Sequence, residues 1–319
     1  MSEYKALKGT KIKTFATDLS GESAEGQVFF STAPQFNALK TVVKIDSWAS
    51  GGNLNSARHA LSGFGTQTAG LAAGGQTTAN SEEYDGSSWT EGNNLSSTRF
   101  YAGGAGTQTA ALIFGSYPNA VTTEEYGGTS WTSGGNLNTG RALLGGAGTQ
   151  TAGLAFGGNA DPPISNASEE YNGSAWAEGN NLNTARQSLA GFGTQTAALA
   201  AAGATDTAAV VSAEEYNGTS WSNVNNANTA RNGLAGGGIQ TAGLIFGGTT
   251  ATALTGATEL YDGTTFTTSS SMATARRILA GAVSAPNSAG LGFGGYGPST
   301  AATEEFTDTV VSSTKLDVS

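Results

Sequence analysis

The chain has 319 residues, of which 38% are hydrophobic and 12% charged, with 48 glycines and no cysteine. Recurring Trp and Tyr argue against a disordered chain, the glycines follow no G-X-Y period and exclude collagen, and the lack of cysteine excludes disulfides and thiolate-ligated metals. The formal net charge of −10 disfavours a nucleic-acid partner, and the absence of any run of 18 apolar residues predicts no membrane insertion.

Residues 1–40 lie outside any repeat and are predicted to form an N-terminal extension. Their lysines form a basic arm suited to docking on an acidic partner or to oligomerisation: Lys5, Lys8, Lys11 and Lys13. No apolar segment follows the lysines, so we expect no secretory signal. The stretch "EGQVFF" at residues 25–30 resembles a short segment frequent in bacteriophage tail-fibre and virion structural proteins. That resemblance implies an attachment segment.

Residues 41–319 consist mainly of six copies of one repeat. One arginine marks each copy, at intervals of 41 to 45 residues: Arg58, Arg99, Arg141, Arg186, Arg231 and Arg276. An aromatic residue stands ten positions before each arginine: Trp48, Trp89, Trp131, Trp176, Trp221 and Phe266. This period is typical of helical repeats or of four-stranded propeller blades.

Turn residues favour strands over helices in every copy. In the fourth copy we predict strands in "RQSLAGF" (186–192), "TAALAAA" (196–202), "SAEEY" (212–216) and "TSWSN" (219–223). "GTQT" joins the first pair, and "NG", a strong hairpin signal, joins the last pair. The Gly and Ala of the first two strands suit positions crowded around an axis. The larger Trp, Tyr, Leu and Phe would fill the space between stacked neighbours.

The order Arg, apolar strand, turn, apolar strand ending in "GG", variable loop, "EEY", turn and Trp resembles the kelch repeat of β-propellers. Two copies depart from it, with "FGS" at 114–116 and "AAG" at 201–203. The resemblance implies an all-β, six-bladed propeller with four-stranded blades over residues 41–319. We expect residues 42–48 to be the outermost strand of the last blade, which would remove two sheet edges. The alternative gives that place to residues 309–318.

The repeated glutamate pair predicts a structural role, because catalysis needs a few groups at one place. The two side chains should point to opposite faces of the strand, one bonding a neighbouring blade and the other solvated. The arginine fork is suited to hold a carboxylate or loop carbonyls. We therefore assign Arg99, Arg141, Arg186, Arg231, Arg276, Trp89, Trp131, Trp176 and Trp221 to structure. In peptide-binding kelch propellers arginines of this region line the central mouth, and on that resemblance Arg58 is a binding candidate.

The loops between the second and third strands differ between copies, as do the side chains next to them. Such variation on a fixed scaffold is typical of a binding surface, although drift in unconstrained loops would look the same. The candidate binding face contains Phe100, Tyr101, Tyr117, Pro162, Pro163 and Tyr296, together with Arg58. His59 is the only histidine and lacks the partners of a zinc site or a catalytic triad. No cofactor, metal or catalytic residue is predicted.

The favoured hypothesis is a non-enzymatic phage virion structural or adhesion protein: a tail-fibre, tail-associated or capsid-decorating propeller. Its partners would be other virion proteins and a host-surface glycan or protein, and it would be assembled in the host cytoplasm. One alternative is a carbohydrate-active enzyme on a propeller, which needs two distinctive acids. The other is a kelch-type adaptor that binds an acidic peptide, which would favour a basic mouth.

Overall fold

The computed structural model describes the backbone of residues 13–15, 28–31, 38–160, 163–282 and 287–317, and the side chains of residues 46–160, 163–282 and 287–308. The chain divides into two compact units. One is Ser47–Thr307; the other combines Met1–Asp46 with Asp308–Ser319. Among the described residues there is no helix with the length and hydropathy needed to cross a lipid bilayer.

The smaller unit contains two short strands, β1 (Lys13–Phe15) and β2 (Val28–Ser31), and part of a long strand, β3 (Ala38–Ser50). β1 pairs with β2 in parallel, and β2 pairs with β3 antiparallel, with Val28 opposite Thr41. The four lysines of the basic arm and the whole "EGQVFF" segment lie outside the residues whose side chains are described.

The larger unit is a ring of six antiparallel four-stranded blades, and in blades 1 to 5 the strands follow sequence order from the axis outwards. Blade 1 contains β4 (Ser62–Thr66), β5 (Ala69–Ala73), β6 (Ser81–Tyr84) and β7 (Trp89–Glu91). Blade 2 contains β8 (Gly103–Gly106), β9 (Ala111–Phe114), β10 (Thr123–Tyr126) and β11 (Trp131–Ser133). Blade 3 contains β12 (Gly145–Thr149), β13 (Ala152–Phe156), β14 (Ser168–Tyr171) and β15 (Trp176–Glu178).

Blade 4 contains β16 (Ala190–Thr194), β17 (Ala197–Ala201), β18 (Ala213–Tyr216) and β19 (Trp221–Val224). Blade 5 contains β20 (Ala235–Ile239), β21 (Ala242–Phe246), β22 (Thr258–Tyr261) and β23 (Phe266–Ser269). Blade 6 contains β24 (Ala280–Gly281), β25 (Ala289–Phe293), the first part of β26 (Thr303–Asp317) and the last part of β3. The innermost strands contact one another around the circle, and β24 closes it against β4. The predicted six-bladed β-propeller is therefore confirmed.

The ring is closed by its N-terminal strand, as the sequence predicted. β3 lies beside β26 as the outer strand of blade 6, and Gly51 N donates to Thr303 O at 2.9 Å. The Trp48 ring lies 5.3 Å from that of Phe306 and 4.9 Å from that of Phe246. The alternative, in which residues 309–318 form the outer strand, is wrong, because residues 309–317 continue β26.

Inner strands are crowded as predicted. A Cβ added at Gly146 would lie 2.4 Å from Gly104 O of the preceding blade, and one at Gly63 would lie 2.4 Å from Gly281 O. Both distances are shorter than a van der Waals contact, so these strands require glycine to approach one another. The predicted first strand was too long at its start: in blade 4 it begins at Ala190 and leaves Arg186 in the preceding connection. The reason is a residue in the left-handed region, Ser188, with φ of 53°.

Candidate ligand-binding face

All six repeat arginines are buried in ion pairs with the first glutamate of their own blade. The N–O distances lie between 2.7 and 3.2 Å: Arg58–Glu82, Arg99–Glu124, Arg141–Glu169, Arg186–Glu214, Arg231–Glu259 and Arg276–Glu304. The expectation that one glutamate of each pair is solvated is therefore wrong. The carboxylate of the first glutamate in each pair is buried because the arginine and nearby backbone N–H groups replace water.

Blade 3 shows what each arginine connects. Arg141 Nη1 donates to the carbonyls of Gly157 and Ala167 at 3.1 and 2.6 Å, while Arg141 O accepts from Ser116 N of blade 2 at 3.1 Å. The second carboxylate oxygen of Glu169 accepts from the backbone N–H of residue 138 at 2.7 Å. Burial lowers the pKa of Arg141, and the neighbouring Glu169 carboxylate opposes that shift. The arginine therefore joins two blades, a loop and a connection.

The second glutamate accepts a hydrogen bond from the tyrosine of the next blade. Four of these pairs measure 2.5 to 2.8 Å, and the fifth has the same geometry: Tyr84–Glu305, Tyr126–Glu83, Tyr171–Glu125, Tyr261–Glu215 and Tyr216–Glu170. At the sixth interface both partners change together, since Leu260 and Phe306 lie in one apolar cluster. Burial, aided by the Glu305 carboxylate, raises the pKa of Tyr84 to about 12.

The tryptophan indoles also form hydrogen bonds between neighbouring blades. Five Trp Nε1 groups donate to a Ser or Thr hydroxyl of the preceding blade at 2.9 or 3.0 Å: Trp48–Thr258, Trp89–Thr303, Trp131–Ser81, Trp176–Thr123 and Trp221–Ser168. In the sixth place Phe266 has no N–H, and Ala213 in the same apolar cluster has no hydroxyl. The repeated polar groups are thus paired between blades.

One face of the ring is built from short turns that are nearly identical in blades 1 to 5, whereas the first turn of blade 6 has a different sequence and lies partly outside the described residues. The "GTQT" turn lies beside the turn between strands three and four, since a Cβ on Gly86 would be 3.5 Å from Thr68. Gln195 Nε2 donates to Gly153 O and Tyr171 O of the preceding blade at 3.0 and 2.8 Å. This face, which we call the turn face, therefore has a structural role. Its one large exposed apolar side chain among the described residues is Ile239, 49% exposed.

On the face opposite the turn face, around the axis of the ring, six equivalent residues form a closed circle of backbone hydrogen bonds. Each N–H donates to the carbonyl of the residue one blade earlier, over 2.6 to 2.9 Å: Ala60, Tyr101, Leu143, Ser188, Gly233 and Ile278. All six have φ between 45° and 63°. Only one is glycine, the residue that this left-handed conformation favours. We call this circle the mouth ring.

Each mouth-ring residue stands between the invariant arginine and the next strand, beside a variable loop. The residue before it pairs with the first loop residue, as in the bridges Ala142–Asn159, Gln187–Ala204, Asn232–Thr249 and Arg277–Tyr296 and in the bonds Gln76 N–His59 O and Tyr117 N–Phe100 O. Three positions per blade therefore meet here. Their side chains differ from blade to blade while the surrounding backbone repeats. We call this surface the variable face.

An aromatic cluster occupies blade 2 of the variable face. The ring centroid of Phe100 lies 5.6 Å from that of Tyr101 and 5.5 Å from that of Tyr117. Phe100 and Tyr101 are half-buried, whereas Tyr117 is 56% exposed. The structure thus brings together three of the residues that the sequence singled out.

A second cluster lies where blades 6 and 1 meet. His59 Nδ1 and Ser299 Oγ are 2.6 Å apart, and the His59 ring is 5.1 Å from that of Tyr296, edge to face. The Arg277 guanidinium lies 5.6 Å from the Tyr296 centroid. Burial lowers the pKa of His59, the Gln76 side chain opposes this shift, and the positive charge of Arg277 lowers the pKa further. A neutral imidazole can donate and accept at once.

The three remaining candidates belong to neither cluster. Arg58 is 3% exposed and paired with Glu82, beneath the surface that His59 reaches. Pro163 is exposed in the loop of blade 3, and Pro162 lies outside the described residues. Among the residues described, no three His, Cys, Asp or Glu side chains are grouped closely enough to ligate a metal ion. Sequence reasoning missed Arg277 and the mouth ring; the variable dipeptide that follows each repeat arginine could have indicated Arg277.

Comparison with protein-family models and with curated proteins returned no match. The fold therefore stands on its own geometry: a β-propeller scaffold, consistent with a role in protein interaction, whose two faces differ in how much the six copies vary.

Proposed function

We propose that the protein is a non-enzymatic structural or adhesion component of a bacteriophage virion, which uses the variable face to contact its target. The observation that carries the proposal is that side chains differ in all six blades on that face, whereas the turns of the opposite face are nearly identical in blades 1 to 5. Five of the six mouth-ring residues keep a side chain where backbone conformation favours glycine. Residues held in such conformations are typical of functional sites.

The carboxylates support a role without catalysis. In each described blade the first glutamate is held by an arginine, and the second accepts from a tyrosine or is replaced by Leu260. An acid that is ion-paired or hydrogen-bonded in every copy is poorly placed for proton transfer to a substrate. The kelch-type adaptor alternative would use the repeat arginines to bind an acidic peptide. These arginines are buried in ion pairs, which leaves a mouth poor in positive charge.

The virion assignment rests on the resemblance of residues 25–30 to phage tail-fibre and virion structural proteins. The partners would be other virion proteins, contacted by the N-terminal segment, and a glycan or protein of the host surface, contacted by the variable face. The protein would be assembled in the host cytoplasm and act in the released particle.

The test is the presence of the chain in purified particles. An antibody raised against the recombinant ring, used with mass spectrometry of gradient-purified virions, should find the chain at a fixed copy number and label one part of the particle. Detection in the lysate alone, with none in the particles, would contradict the proposal.

A further inference from the structure

We infer that blades 6, 1 and 2 of the variable face form a binding site for a saccharide that carries a carboxylate. Arg277 would hold the carboxylate, and the rings of Tyr117 and Tyr296 would stack against the C–H faces of the sugars. This inference rests on the proposed function and names the ligand class of the same face.

The aromatic side chains supply the apolar part of the site. The large hydrophobic residues that are exposed, among those described, are Tyr117 at 56%, Ile239 at 49% and Tyr296 at 42%. Two of the three lie on the variable face, each supported from behind by another ring: Phe100 behind Tyr117 and His59 beside Tyr296. A braced, exposed ring offers a flat apolar surface with a hydroxyl at its edge, which suits the alternating C–H and O–H surface of a sugar.

Charge decides in favour of an acidic sugar. Between residues 47 and 307 the sequence has seven arginines and no lysine. Six of these arginines are buried in ion pairs, so Arg277 is the exposed cation of the described ring. It forms no ion pair with a described residue and lies beside Tyr296. A guanidinium presents two parallel N–H groups that match a carboxylate.

The remaining polar groups suit hydroxyls better than a peptide. His59, Ser299 and Gln76 lie together and can both donate and accept. A bound peptide commonly pairs its backbone with a free strand edge. Here the N–H groups of the mouth ring are already bonded to one another, so they offer no such edge. We therefore argue for a saccharide, and peptide binding becomes an outcome of the test.

The experiment uses the full chain on an array of oligosaccharides that contain uronic or sialic acids, each printed beside its carboxyl-reduced copy. At least one acidic probe should bind at least about tenfold more tightly than its reduced copy, as expected for a charge-assisted hydrogen bond. Arg277→Gln should abolish that preference, and Tyr117→Ala or Tyr296→Ala should weaken both members of the pair. The matched control is Ile239→Thr on the turn face. It places in blade 5 the threonine that blades 1 to 4 have at the equivalent position: Thr66, Thr107, Thr149 and Thr194.

The inference is overturned if no acidic probe exceeds its reduced copy, if Arg277→Gln retains the preference with unchanged melting temperature, or if only acidic peptides bind the face. None of these results touches the presence of the chain in particles. If the chain is found in virions but does not bind acidic sugars, the inferred ligand class is wrong and the proposed function stands. If the chain binds acidic sugars but is absent from virions, the proposed function is wrong and the inferred ligand class stands.

Discussion

At the scale of single residues, the contacts between blades work as matched pairs. Where Tyr becomes Phe306, its glutamate partner becomes Leu260; where Trp becomes Phe266, its hydroxyl partner becomes Ala213. Each exchange avoids leaving one buried polar group without a partner, which costs more than removing both groups together. At two of its interfaces the chain therefore already has both partners of a polar pair replaced by apolar residues.

The Tyr126–Glu83 pair can be converted into the natural Leu–Phe pair. Tyr126→Phe and Glu83→Leu should each lower the free energy of unfolding by about 1 kcal/mol, because each leaves one group of a partly buried hydrogen bond without its partner. The double variant should cost less than the sum, with a coupling of about 0.5–3 kcal/mol. Urea denaturation of the four proteins measures this coupling, and strictly additive losses would show that the two groups act independently.

The tyrosine pairs also predict how stability falls at alkaline pH. The pKa of Tyr84 is raised from its ordinary value of 10.0 to about 12, and burial raises the pKa of Tyr126 likewise. Because the folded pKa exceeds the unfolded one, this contribution is complete below pH 10 and is lost as pH rises towards 12. The Tyr126→Phe, Glu83→Leu double variant has one such group fewer, so its denaturation midpoint should fall less steeply than that of the wild type over this window. Parallel curves would contradict the assignment.

At the scale of the blade, the buried arginine organises the segment before the first strand. Arg141 holds Glu169 and two loop carbonyls, and Glu169 in turn fixes the backbone of residue 138. These bonds position the connection that leads into the mouth ring, so the variable face depends on a buried network that does not itself vary.

Removing one arginine should therefore be costly. Arg141→Leu leaves the Glu169 carboxylate buried and unpaired, and should lower the free energy of unfolding by about 3–5 kcal/mol. Arg277→Leu is the matched control, since its guanidinium is exposed, and should change stability by less than about 0.5 kcal/mol. Similar small losses in both, measured by denaturant unfolding, would mean that the ion pair is not structural.

Much of the blade could be predicted from sequence, because period, turn residues and large aromatics all report on it. The Arg-to-Trp register predicted the number of blades, and the "NG" turns of blades 3 and 4 predicted their outer hairpins. The mouth ring could not be predicted, because sequence gives little sign that Leu143 or Ile278 adopts a conformation usually left to glycine. The burial of Glu82 with Arg58 was missed for a related reason: a repeated charged pair looks the same in sequence whether solvated or buried.

At the scale of the whole molecule, the closed ring provides a repeated scaffold, and the side chains that differ between blades lie on its variable face. Blade 6 is completed by β3, and Trp48 bonds Thr258 of blade 5 at 3.0 Å, so the ring has no open edge at its seam. Six nearly equal blades then carry six different sets of side chains on one face. That separation is what makes the variable face the proposed contact surface and the turn face the natural control.

The most direct measurement is binding of the labelled full-length protein to host cells, comparing variants of the two faces. The Tyr117→Ala, Tyr296→Ala double variant should lose binding while melting as the wild type does, and Ile239→Thr should bind as the wild type does. If the double variant binds normally, or if Ile239→Thr abolishes binding, the variable face is not the contact surface and the central claim is wrong.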